Sequence, residues 1–156
     1  MHPAEGLKCG GGKIVALAKI PEEDHVIRYC RGADTFRKEL RPKHRAFKPQ
    51  KKHPTELSVN WCEYLSTTSF EDAVAQLRQT SGSPDPDDNS CYVALSVEDV
   101  TAVVSSSHSP PEIVHTWKHD NPSHSDIRKY PATDRQIQAD LAFLAARSRI
   151  LPGLLA

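Results

Sequence analysis

The chain has 156 residues, within the usual size of one domain, with 38% hydrophobic residues in recognisable clusters, so a single folded core is expected rather than a disordered chain. Twenty basic and twenty acidic side chains cancel, which excludes a whole-molecule field steering the protein to nucleic acid or an anionic membrane. No run approaches the roughly 20 apolar residues of a membrane span, and the N-terminus lacks the charged-then-apolar pattern of a secretory signal, so a cytoplasmic protein without membrane contact is expected.

Residues 1–12 end in Cys9-Gly10-Gly11-Gly12 and read as a flexible lead-in to one domain over 13–150. A phosphate loop is rejected there, because Lys13 is followed by Ile14-Val15-Ala16-Leu17, a strand pattern, where a Walker motif would open a helix. Strands are expected near 13–19 and 25–30, the second from the β-branched run His25-Val26-Ile27-Arg28-Tyr29-Cys30.

The next segment is basic. Arg37, Lys38, Arg41, Lys43, Arg45, Lys48, Lys51 and Lys52 stand against one acid, Glu39, and Pro42, Pro49 and Pro54 forbid a continuous helix. A loop over 37–52 is expected, mobile because few apolar side chains anchor it. Such a run gains affinity for phosphates by releasing counterions, and Phe36, His44 and Phe47 could stack on unpaired bases. Residues 61–112 carry Arg78 as their single Lys or Arg against nine acids, so an acidic protein, or the chain's own acidic half, is the competing partner.

Leu57, Val59 and Trp61 alternate with polar neighbours as in a half-buried strand. Ser69 caps an amphipathic helix over 70–79, in which Phe70, Ala73, Val74 and Leu77 recur at helical spacing. Residues 81–89 read as a surface loop, 91–95 as a buried strand, and Ser96 with Asp99 as the start of a short helix to about Val103. Residues 105–111 read as a polar linker, and 115–125 shows no period. Thr133 and Gln136 stand in capping-box register before a last helix over 134–148, and 151–156 forms an apolar tail that packs on the domain or on a partner. The expected fold is α+β, a small mixed or antiparallel sheet with about three helices packed on one side.

Four cysteines, Cys9, Cys30, Cys62 and Cys91, are widely spaced without a C-x-x-C pair; three sit in apolar runs and read as small buried hydrophobes. His115, His119 and His124 with Asp120 have the composition of a metal-ligand set. The prolines at 110, 111 and 122 oppose the helix that would bring His115 and His119 to one face, so no metal site is assigned and no cofactor is named. Those three histidines and His25 are instead candidate acids and bases for phosphodiester transfer, with an arginine or lysine stabilising developing charge. Arg31-Gly32 and the downstream Ser66-Thr67-Thr68-Ser69 resemble the arginine and Ser-Thr-Ser elements of mono-ADP-ribosyltransferases, which in that family are associated with NAD binding. The resemblance covers those few residues, and that family's Glu-x-Glu element has no counterpart downstream. Two functions are therefore expected to compete: a binding module acting through residues 37–52, and a small hydrolase or transferase acting on a phosphate-containing substrate through the histidines.

Overall fold

A computed structural model describes residues 17–66 and 68–154. Six strands form one antiparallel sheet: β1 (His25–Cys30), β4 (Glu56–Trp61), β5 (Cys91–Ser96), β6 (Glu112–His115), β7 (His124–Arg128) and β8 (Ile150–Pro152), in the order β6-β7-β4-β1-β5-β8. Between β1 and β4 the chain makes a small ribbon from β2 (Thr35–Phe36) and β3 (Arg41–Pro42). The helices are α1 (Cys62–Leu65), α2 (Phe70–Gln79), α3 (Val97–Ser105) and α4 (Arg135–Ala146). Among the described residues no helix is long and apolar enough to cross a membrane.

The fold is α+β as expected, but the sheet is larger and its helices are not confined to one side. Val26, Val59, Val93, Leu95 and Ile127 pack with Val100 and Val104 of α3 and with Ile137 and Leu141 of α4. Ile27, Tyr92 and Ala94 on the opposite face pack with Cys62 of α1 and with Phe70, Ala73, Val74 and Leu77 of α2. The reason lies in β5, whose Cys91 to Leu95 are all buried; a strand without alternation needs cover on both faces.

The helix starts follow from local chemistry. Ser69 Oγ accepts from Asp72 N at 3.1 Å and Ser96 Oγ from Asp99 N at 3.0 Å, as the spacing predicts. The cap of α4 is Asp134 rather than Thr133: its Oδ1 accepts from Gln136 N and Ile137 N at 3.0 and 3.2 Å. Asp134 sits one residue closer to those orphan N–H groups, and its other oxygen meets His108 Nε2 at 2.6 Å.

The basic segment is anchored, contrary to the expectation of a loop without apolar anchors. After the ribbon, a 3-10 turn over His44–Phe47 buries Ala46 and Phe47 against α4. Tyr130 Oη donates to the Phe47 carbonyl at 2.6 Å and Arg28 Nε to the Ala46 carbonyl at 2.9 Å. Burying a phenylalanine side chain contributes roughly 1.5 to 3 kcal/mol, enough to hold a segment whose other residues are solvated.

Two strands fall where no period was legible, β6 and β7, and the sheet runs on through Pro152 of the tail, tied by Arg78 to the Pro152 and Gly153 carbonyls. Of the expected strand over 13–19, residues 13–16 lie outside the described residues, as does the lead-in 1–12; Lys19 bridges to Val114. Cys30, Cys62 and Cys91 are buried free thiols, Cys30 and Cys91 facing each other between β1 and β5; Cys9 lies outside the described residues. Burial pushes the Cys62 thiol up to about 12, which keeps it protonated and unreactive.

Candidate functional site

β1 and β4 pair through Val26↔Trp61 and Ile27↔Asn60, yet both strands run on, to Cys30 and back to Glu56. Beyond the second pair they fork. Arg28 occupies the fork, its second guanidine nitrogen donating to the Ser58 carbonyl at 2.6 Å while Nε holds the Ala46 carbonyl. One side chain thus satisfies the main chain of β4 and the turn of the basic segment together. A cleft of about 870 Å³ opens at this fork. Its floor comes from Ile27, Arg28 and Tyr29 of β1, Ser58 to Asn60 of β4 and His124 of β7. The sheet explains why these meet: Ile27 stands opposite Asn60, and Asn60 opposite His124, so their side chains share a face.

One wall is cationic. Asp34, 6% exposed, accepts from Arg31 Nε and its terminal nitrogen at 3.2 and 3.0 Å on Oδ2, while its Oδ1 lies 3.8 Å from Arg45 Nε. The buried carboxylate therefore fixes Arg31 through two hydrogen bonds and attracts exposed Arg45 across a 3.8 Å ion pair, its Oδ1 making no hydrogen bond. Lys48 and Lys51 continue the wall, and with Arg28 and Lys118 the cleft carries six cations against the carboxylates of Asp34, Asp85 and Asp87. The excess of positive charge falls within a concave surface, where it focuses an attractive field for anions.

The other wall is of mixed charge and is fixed by main-chain hydrogen bonds. Lys118 and Asn121 exchange main-chain hydrogen bonds at 3.3 and 3.1 Å, and His124 N donates to the Asn121 carbonyl at 3.0 Å. Gly82 N donates to the Asp120 carbonyl at 2.9 Å, and a Cβ on Gly82 would lie 2.5 Å from Asp120 Cγ, so only glycine admits this contact. Tyr29 Oη donates to the Asp85 carbonyl at 3.4 Å and accepts from Asp87 N at 3.1 Å, tying residues 85–87 to β1. Gly32 N reaches Asp87 Oδ1 at 2.7 Å, and a Cβ on Gly32 would strike the Asp88 carbonyl.

The four candidate histidines have different surroundings. His124 lines the cleft, 8% exposed, with Nδ1 at 2.8 Å from Thr116 Oγ1 and Nε2 at 3.9 Å from Asp126 Oδ1. Burial lowers its pKa from 6.5 against the opposing pull of Asp126, and Lys118 adds to the lowering, so the ring is neutral at neutral pH. His115 is buried against the Trp61 and Tyr64 rings, with Nε2 2.7 Å from the Pro122 carbonyl; its register partner is Ser125, next along from His124, which turns it to the opposite sheet face. His25 Nδ1 is hydrogen-bonded to Glu63 Oε2 at 2.7 Å, and exposed His119 lies 6.3 Å from the Trp117 ring.

Of the eight basic candidates, Arg45, Lys48 and Lys51 line the cleft. Arg41 stacks over Phe36 at 4.1 Å, Lys43 donates to the Ala33 carbonyl at 3.3 Å, and Arg37, Lys38 and Lys52 point to solvent. Arg31 lines the cleft, whereas Ser66 and Thr68 line a separate hollow with Glu63, Asp72 and Gln76, and Ser69 is taken by the cap of α2. Asp34, Asn60 and Asn121 were not legible as site residues. Asn60 sits on the polar face of an alternating strand, which marks solvent as readily as a site. Among the described residues no group of three His, Cys, Asp or Glu side chains is arranged to hold a metal ion. No family model matches the chain, no curated protein matches it and no solved structure matches it.

Proposed function

We propose that the cleft at the β1–β4 fork binds a phosphate-bearing ligand, a nucleotide or a stretch of single-stranded nucleic acid, with its phosphates against Arg31 and Arg45. The observation that carries this reading is the Asp34-held pair of arginines, with Lys48 and Lys51 beside it. Arginine forks match phosphate oxygens in pairs, and holding them in place before the ligand arrives lowers the ordering cost of binding. An acidic protein is the competing partner, but a surface that recognises carboxylates does not need a concave floor of amides and an imidazole.

A labelled single-stranded oligonucleotide titrated over a range of salt tests this. The logarithm of affinity falls with the logarithm of salt, and changing Arg45, Lys48 and Lys51 together to Ala lowers that slope by about two to three. Changing Arg37, Lys38 and Lys52 together to Ala leaves most of it, because those side chains lie outside the cleft. Failure of the unaltered protein to bind at about 50 mM salt, where phosphate attraction is strong, removes the nucleic-acid form of the reading.

A second reading is favoured by His124. A neutral imidazole in the same cleft as an arginine pair can accept a proton from an attacking hydroxyl while the arginines stabilise charge on the phosphoryl oxygens, which is phosphodiester transfer or hydrolysis. In that case His124→Gln abolishes turnover of a bound oligonucleotide without weakening its binding. The ADP-ribosyltransferase-like option rests on Arg31 alone, since Ser66 and Thr68 line a different hollow.

A further inference from the structure

The wall of the cleft opposite the arginines holds a side-chain oxygen without a partner. Asn121 is 4% exposed, lines the cleft, and its Oδ1 has no hydrogen-bond partner in the structure. A buried amide oxygen left unpaired is costly to the fold, and such a group persists in folded proteins chiefly where a water or a ligand takes the bond. Asn121 is held rigidly, in a two-way turn with Lys118, against Gly82 through its neighbour Asp120, and under His124 N. Beside it, Asn60 Oδ1 is already committed to Ser123 Oγ at 2.9 Å. Exposed Pro84 also lines the cleft, whereas the Ile27 and Val59 side chains are buried in the two cores.

The two ends of the cleft therefore ask for different chemistry. One end offers guanidinium groups; the other offers a fixed amide whose oxygen has no partner, beside Asn60 and Pro84. A carboxamide presents an acceptor and a donor side by side in one plane, the complement of a nucleobase edge that carries an adjacent N–H and ring nitrogen or carbonyl. A planar base also supplies an apolar face for exposed Pro84 to cover, which a sugar phosphate or an acidic peptide does not.

We propose that Asn121, beside Asn60, forms a nucleobase subsite, so that the ligand of this cleft is a nucleoside phosphate recognised at both ends rather than a bare polyphosphate. The proposal rests on the phosphate reading above, and the experiment separates the two. Calorimetric titrations with ADP and with pyrophosphate are compared for the unaltered protein, Asn121→Ala and Arg45→Ala. The expected result is that ADP binds the unaltered protein more tightly than pyrophosphate. Asn121→Ala then weakens ADP about 10-fold to 100-fold, as the loss of a paired base contact does, and leaves pyrophosphate unchanged. Arg45→Ala weakens both. Unchanged pyrophosphate binding also shows that the Asn121 variant is folded; should the alanine variant fail to fold, Asn121→Ser keeps a short polar side chain in the turn and is expected to show the same selective loss. Equal affinity for ADP and pyrophosphate, with no selective effect of Asn121, overturns the base subsite and leaves the phosphate site standing. Absence of binding by either probe overturns both.

Discussion

The basic segment 37–52 and the histidine segment 115–124 look alike in sequence, both polar, both interrupted by proline and both without a period, yet the fold uses them in opposite ways. The first is pinned by Phe47 and keeps its charges in water, with Arg45, Lys48 and Lys51 along the cleft. The second leaves Lys118, His119 and Asp120 in water but buries a set of neutral polar groups: Asn121, Ser123 and His124 are 4%, 0% and 8% exposed. Charged side chains serve a site cheaply while solvated. Neutral hydrogen-bonding groups discriminate because they are desolvated, and an unpaired one costs free energy until a ligand meets it.

The largest expected effect breaks the first half of this contrast. Phe47→Ala destabilises the fold by about 3 to 5 kcal/mol in urea unfolding, as loss of a buried aromatic does. Should it cost less than about 1 kcal/mol, the basic segment is not a packed part of the core. Tyr130→Phe is a smaller test of the same anchor. It removes the hydroxyl that donates to the Phe47 carbonyl, and a loss of about 1 to 3 kcal/mol is expected for the acceptor left behind. Equal stability of the two proteins shows that water replaces that bond.

The smallest effect sharpens the second half. Burial holds the folded-state pKa of His124 below 6.5, so on acidification through 6.5 the unfolded chain takes up the proton before the folded one does. Stability contributed by the neutral ring is full above that pH and is lost as the pH falls towards the lower folded value. Asp126 opposes the effect and Lys118 and His115 reinforce it. Thermal midpoints of the unaltered protein and of His124→Gln between pH 7.5 and pH 5 are expected to diverge least at the acid end, because the variant has no imidazole to protonate. A parallel decline of the two curves assigns the acid sensitivity to other groups.

Patterns with one period and one cap were readable residue by residue: α2 begins after Ser69, α3 after Ser96, and β1 and β5 occupy the expected runs. Such elements are set by contacts within a few residues, and hydrophobic spacing records which side of each turns inward. The α4 cap moved by one residue because Thr133 and Asp134 both offer an acceptor, and the choice between them depends on backbone geometry and on the His108 contact. β7 was invisible for a deeper reason. His124, Ser125, Asp126 and Arg128 are polar on both sides of Ile127, and only Ile127 joins the apolar core while His124 lines the cleft.

The sequence by itself determined that this chain is α+β, that Cys30, Cys62 and Cys91 sit in apolar runs, and that its positive charge is concentrated in one segment. Tertiary structure alone decided which of those charges act together. Arg31, Asp34 and Arg45 converge because the ribbon folds the chain back on itself, and Asn60 meets His124 because β4 and β7 pair across more than sixty residues of chain. Side-chain type is a local property, whereas convergence is set by strand order, and strand order depends on the sum of long-range burial rather than on any one segment.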